Sequence, residues 1–149
     1  MTQAKGIPDG FHTLCPYMMI RNAGEAIEFY KRAFDATVHL CLTNPQGKVM
    51  HAEIQIGDSM VMLADDSSDT PSANSPISLF LYVPDVDTFA ERALTAGATL
   101  IDPIEDKWEG DRRGGLQDPF GFTWWIATQT RVMSRADMQR QHDQETQKA

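Results

Sequence analysis

The chain has no apolar run approaching the ~18 consecutive residues that a membrane span requires. Its first ten residues carry no basic segment followed by an apolar stretch, which argues against a secretory leader and makes the cytoplasm the expected compartment. Cysteine is nearly absent. Cys15 and Cys41 cannot build a disulfide framework, and with no CxxC and no Cys–His cluster a structural zinc site is not expected. Basic clusters are also missing, the largest being Arg112–Arg113, in a chain with a formal net charge of −8. Gripping a phosphate backbone needs a basic face, so nucleic acid is not an expected partner. An acidic surface favours solubility and, secondarily, cationic over anionic ligands.

What remains suits a folded domain. The chain has 149 residues, 42% of them hydrophobic and 23% charged, enough for one compact core or two small modules sharing one. Two segments resemble each other: Cys15–Phe34 and Ser78–Leu94. Ile20 matches Val83, Asn22 matches Asp85, Glu28 matches Glu91, and Leu63-Ala64 matches Ile126-Ala127, always 63 positions apart. This pattern indicates duplication.

Each copy reads as strand, helix, then strands. Residues 13–20 form an apolar, β-compatible run. Asn22, with Glu25 three residues on, predicts a capping box for a helix over 23–34, whose apolar side holds Ala26, Ile27, Tyr30 and Phe34. Strands follow at 38–43, 48–56 and 59–64, with turns at Asn44-Pro-Gln-Gly47 and Gly57-Asp58. The second copy predicts a strand at 77–83, a helix capped by Asp85 and closed at Gly97, a short strand at 99–101, a loop and strand over 108–117, a turn at Asp118-Pro-Phe-Gly121 and a last strand at 122–128. The polar, Ser/Pro-rich stretch between the copies reads as a linker, 66–75. Ser134 and Asp137 mark the cap of a final helix in a polar tail, 131–149.

Several motifs carry a family resemblance: Ala26-Ile-Glu-Phe-Tyr-Lys-Arg-Ala-Phe34, Val49-Met-His-Ala-Glu-Ile-Gln-Ile-Gly-Asp-Ser59, Val83-Pro-Asp-Val-Asp87, Ala96-Gly-Ala98 and Gly110-Asp-Arg-Arg-Gly-Gly-Leu-Gln-Asp-Pro-Phe-Gly121. The chain resembles the vicinal oxygen chelate superfamily, which includes glyoxalase I, bleomycin-resistance proteins and extradiol dioxygenases, and within it the small PhnB-like branch. The resemblance implies an α+β fold of two βαβββ modules, 11–65 and 76–130, whose curved mixed sheets form a cup. It also implies pairing into a homodimer.

The metal enzymes of that superfamily use one ligand per equivalent strand, commonly His or Glu. Aligned on the motifs, those positions hold Cys15, Met62, Ser78 and Trp125. None is a good donor for a hard divalent ion, and Cys alone suits softer metals, so neither metal nor other cofactor is expected.

Side-chain alternation then sorts the strands. Leu14, Met18, Ile20, Ile54, Ile56, Val61, Leu63, Leu79, Leu81, Val83, Trp124 and Ile126 are expected on the helix-covered face. The concave face is expected to carry Cys15, Tyr17, Met19, His51, Glu53, Gln55, Met60, Met62, Ser78, Phe80, Tyr82, Thr123 and Trp125. This mixture of apolar and hydrogen-bonding groups is that of a ligand pocket. His51 and Glu53 share one face and are candidates for proton transfer, for orienting a ligand, for supplying two ligands of a displaced metal site, or for simple hydrogen bonding to neighbouring strands or to each other. Trp108 is either a lid over the cup or a core residue, and Arg112 or Arg113 is a candidate carboxylate or phosphate contact. Cys15 lacks an adjacent activating group and reads as an inert thiol.

Three readings of function stand at this point. One is a binding protein for a small molecule, as in the metal-free sequestering proteins of the superfamily. Another is a diverged lyase, isomerase or dioxygenase using His51 and Glu53. The last is an interaction protein with a collapsed cup.

Overall fold

A computed structural model describes residues 3–67 and 76–147, so most of the expected linker, 68–75, lies outside the described residues. The first module contains β1 (Tyr17–Ile20), α1 (Ala23–Phe34), β2 (Thr37–Thr43), β3 (Val49–Ile56) and β4 (Ser59–Asp65). The second contains β5 (Leu79–Tyr82), α2 (Val86–Ala96), β6 (Thr99–Asp106), β7 (Asp111–Gln117) and β8 (Thr123–Gln129), and a C-terminal α3 (Arg135–Gln147) follows. The result is an α+β arrangement of two open four-stranded mixed sheets, ordered β1-β4-β3-β2 and β5-β8-β7-β6.

In each sheet the first strand runs parallel to the last and the remaining pairs are antiparallel. The register carries the duplication: Tyr17 sits opposite Met62, and Phe80 opposite Trp125, both members being displaced by 63 residues.

A single core unites the modules. Its buried residues come from α1, α2 and the helix-facing side of both sheets, including Met18, Ile20, Ile54, Leu63, Trp124 and Ile126. Phe34 of α1 stacks on Phe89 of α2 with centroids 5.3 Å apart and meets the Trp124 ring edge-on at 4.8 Å. The predicted apolar side of α1 is buried, and Leu79, Leu81 and Val83 pack against the same core.

Four details differ from the sequence expectation. β1 begins only at Tyr17, after Pro16, so Leu14 is 87% exposed rather than core-facing. Asn22 adopts a left-handed conformation (φ 64°) with no side-chain cap. The free backbone N–H of Ala23 is instead satisfied by Asp65 Oδ1 at 3.0 Å, while Asp65 Oδ2 receives the Val49 amide at 2.7 Å. β6 extends over eight residues instead of three, with register breaks at its edge position. Arg112 lies on the helix side of β7, where it binds Asp87 at the start of α2, and so is not a concave-face residue.

The other punctuation matches the sequence. Asp85 accepts from the Thr88 amide at the N-terminus of α2, Gly97 closes that helix, and Ser134 accepts from the Asp137 amide at the start of α3. Helix α3 buries no residue, consistent with its polar sequence.

Candidate functional site

On the first sheet, three neighbouring strands bring together a hydrogen-bonded chain. Met62 of β4 lies between Tyr17 of β1 and Glu53 of β3 in the pairing register, so all three side chains share the face away from the helices. His51, two residues before Glu53, shares it too. Its Nε2 lies 3.0 Å from Glu53 Oε2, and its Nδ1 lies 3.2 Å from the Tyr17 hydroxyl. The Tyr17 and His51 rings are 5.7 Å apart at 33°. Farther along β3, Gln55 Oε1 meets His39 Nε2 at 2.8 Å, while its amide nitrogen donates to the Gly57 carbonyl at 2.9 Å.

Around these polar groups the surface is apolar and open. Tyr17 is 50% exposed, Met19, Leu40 and Leu42 are exposed, and Met62 is half-buried. Met60 is instead covered, and its carbonyl accepts from Cys15 Sγ at 3.2 Å. Burial pushes the Cys15 thiol up from its ordinary value, with the Glu53 charge adding to the shift and a backbone hydrogen bond opposing it.

The second sheet builds a counterpart. Phe80 and Tyr82 are 46% and 65% exposed, with ring centroids 5.0 Å apart. The Trp125 indole donates to Ser78 Oγ at 3.1 Å and lies over Gly115, where an added Cβ would come within 2.6 Å of the ring. Thr123 lies one alternation along from Trp125 on the same face. Tyr82 donates to buried Asp111 at 2.9 Å, and Arg113 pairs with Glu109 and approaches Asp111 at 3.8 Å. The hydrogen bond to Asp111, reinforced by burial, raises the Tyr82 phenol above its ordinary value.

Arg113, opposite Ala127, is thus the concave-face arginine, and the alternation of β7 together with Trp125 is the signal that selects it over Arg112. Trp108 occupies the turn between β6 and β7, partly exposed. The stem of α3 is fastened to that turn: Gly110 O accepts from Thr130 N, Arg131 N and Thr130 Oγ1, and Trp108 O accepts from Arg131 Nη2.

A cleft of about 940 Å³ between the modules brings Gln55 together with Phe80 and Tyr82, and Arg92 lies at its margin. Arg92 is occupied, donating to the Lys31 and Arg32 carbonyls at the end of α1.

Sequence reading missed one buried network. Asp118 of the Asp-Pro-Phe-Gly turn accepts from the Phe120 and Phe122 amides, from Trp124 Nε1 at 2.9 Å and from the Tyr30 hydroxyl at 2.6 Å. This turn ties the two modules together through Tyr30 and Asp118.

The profile of the Glyoxalase/Bleomycin resistance protein/Dioxygenase superfamily matches residues 11–126, most of the chain. The chain belongs to that superfamily. Among its relatives, an uncharacterized protein of Mycobacterium bovis is 38% identical over 135 residues, spanning 85% of this chain and 89% of the relative. The fold is similar to that of TioX from a Micromonospora species, with a TM-score of 0.64, 23% identity and coverage of 83% and 100% of the two chains. It is also similar to that of a PhnB protein from Bacillus cereus, with a TM-score of 0.64, 20% identity and coverage of 78% and 99%.

The four side chains expected at the superfamily's metal positions, Cys15, Met62, Ser78 and Trp125, make a poor donor set for a hard divalent ion. Met62 and Trp125 lie on β4 and β8, whereas Cys15 and Ser78 precede β1 and β5. Cys15 Sγ already donates to a carbonyl, Ser78 Oγ is engaged by the Trp125 indole, and thioether and indole offer no hard donor. Among the described residues no group of three or more His, Cys, Asp or Glu is arranged to hold a metal.

Proposed function

We propose that this protein is a metal-independent binding protein for a small amphiphilic molecule, held against the concave sheet faces. The observation carrying this reading is the exposure of aromatic and aliphatic side chains there, Tyr17, Leu42, Phe80 and Tyr82 above all, around a few fixed polar groups. An apolar surface with convergent hydrogen-bonding groups is the composition of a ligand site, and an uncovered apolar patch of this kind marks a surface built to be occupied. Tyr17, Gln55, Met62, Phe80, Tyr82, Thr123 and Trp125 are the proposed ligand contacts, with Arg113 rather than Arg112 as the candidate arginine.

The proposal includes a homodimer. Both sheets are open, and one chain leaves their apolar faces uncovered, so a second copy completes the cup. The compartment proposed is the cytoplasm. No described helix is long and apolar enough to cross a membrane.

Native mass spectrometry of untreated protein and tryptophan quenching across a panel of planar amphiphiles test the reading together. A dimer with saturable quenching, lost in Trp125→Leu and reduced in Phe80→Ala, is expected. A monomer whose fluorescence responds to none of the panel would sink it.

A further inference from the structure

We infer that Tyr17, His51 and Glu53 form a proton relay that makes the first sheet a general-base site, with Tyr17 as the group that touches the substrate. Glu53 as a carboxylate only accepts hydrogen bonds, so the hydrogen of a neutral His51 ring resides on Nε2, which faces Glu53 at 3.0 Å. Nδ1 is then bare and accepts from the Tyr17 hydroxyl at 3.2 Å. Both ring nitrogens are thereby engaged, and neither is left for a ligand.

The outward group is the Tyr17 oxygen. Its hydrogen points to His51, its lone pairs are free to accept, and the residue is half exposed. Glu53 orients the ring and offsets the charge that develops on it, as expected of a carboxylate behind a catalytic imidazole. The inference rests on the proposal that ligands meet this face. It adds a reaction class: removal of a proton from an acidic C–H or O–H group, without a metal.

5-Nitrobenzisoxazole, a flat aromatic carbon acid, serves as the probe. Its C3–H proton passes to Tyr17 Oη while the Tyr17 hydrogen passes to His51 Nδ1. The C–H electrons complete the nitrile, the N–O bond breaks, and the pair leaves on the phenolate oxygen. The imidazolium then returns its extra proton to water.

Two readouts decide the matter. Two-bond ¹H–¹⁵N correlation of the imidazoles, which needs no ligand, is expected to show His51 protonated at Nε2 alone, and Glu53→Ala is expected to redistribute that proton. Release of the cyanonitrophenolate is expected to saturate, with the saturating rate falling about 100-fold in Tyr17→Phe and in His51→Gln and thermal melts retained. A proton on Nδ1, or equal rates in the wild type and Tyr17→Phe, overturns the relay. Loss of probe quenching in the wild type instead counts against the binding reading, while the imidazole spectrum still judges the relay.

Discussion

The Tyr30 hydroxyl in the first module donates to Asp118 in the second over 2.6 Å, joining residues 88 positions apart. Asp118 also receives two backbone amides and the Trp124 indole, so one buried carboxylate closes a turn and locks a helix to the opposite sheet. Removing the tyrosine oxygen leaves three donors in place, whereas removing the carboxylate strands four. Tyr30→Phe should therefore cost about 1–3 kcal/mol and Asp118→Ala distinctly more, read as a drop in the urea midpoint.

The same contact gives a pH dependence. Burial first, then the Asp118 charge, holds the Tyr30 phenol well above its ordinary value of 10.0. The folded state thus keeps a proton that the unfolded state releases. The stabilisation is fully present below pH 10 and declines as pH rises past it towards the folded value. Melting temperatures measured from pH 8 to 11 should fall on the alkaline side, and Tyr30→Phe should flatten that limb. An unchanged slope in the variant would refute the assignment.

Gly115 lies beneath the Trp125 ring. Gly115→Ala would force the indole outward and break its hydrogen bond to Ser78. A cost of about 1–3 kcal/mol is expected, as for overpacking elsewhere, with a shifted tryptophan emission maximum and weaker binding of quenching ligands. Ser78→Ala removes the same hydrogen bond without the steric push, and should shift emission with little loss of stability.

Arg112 and Arg113 are adjacent but point to opposite faces of β7. Arg112 is tied to Asp87 at 2.8 Å and to Asp106 at 3.3 Å, an ion pair that holds the Asp87 carboxyl below its ordinary range. Arg112→Ala should slightly lower thermal stability, most visibly at low salt, and leave ligand quenching intact. Arg113→Ala should do the reverse. Identical binding curves for the two variants would contradict the assignment of faces.

The thiols should separate by reactivity. Cys41 is exposed, while Cys15 is partly covered, bonded to the Met60 carbonyl and pushed up by burial. Iodoacetamide at neutral pH, followed by peptide mass mapping, should label Cys41 well before Cys15.

Most of the fold was legible because its signals are local. Helical periodicity marked α1 and α2, and the turns at Asn44–Gly47 and Asp118–Gly121 carry their own chemistry. The misreadings came from non-local partners. Asn22 looked like a cap, but the α1 amide is satisfied by Asp65, 42 residues on, which no local pattern reveals. The choice between Arg112 and Arg113 stayed open because β6, an edge strand interrupted by Pro103 and rich in acids, hides its alternation and with it the phase of β7. On the candidate site, alternation placed His51 and Glu53 on one face, yet the Tyr17–His51 hydrogen bond emerged only once β1 and β3 were seen flanking β4.

The C-terminal helix buries nothing, yet its stem is fastened beside an aromatic residue at the edge of the second sheet. The Gly110 carbonyl takes three hydrogen bonds from Thr130 and Arg131, and a Cβ at Gly110 would come within 2.5 Å of the Arg131 carbonyl oxygen. The start of the C-terminal segment is thus held to the Trp108 turn by hydrogen bonds alone, with no apolar packing from α3 behind them.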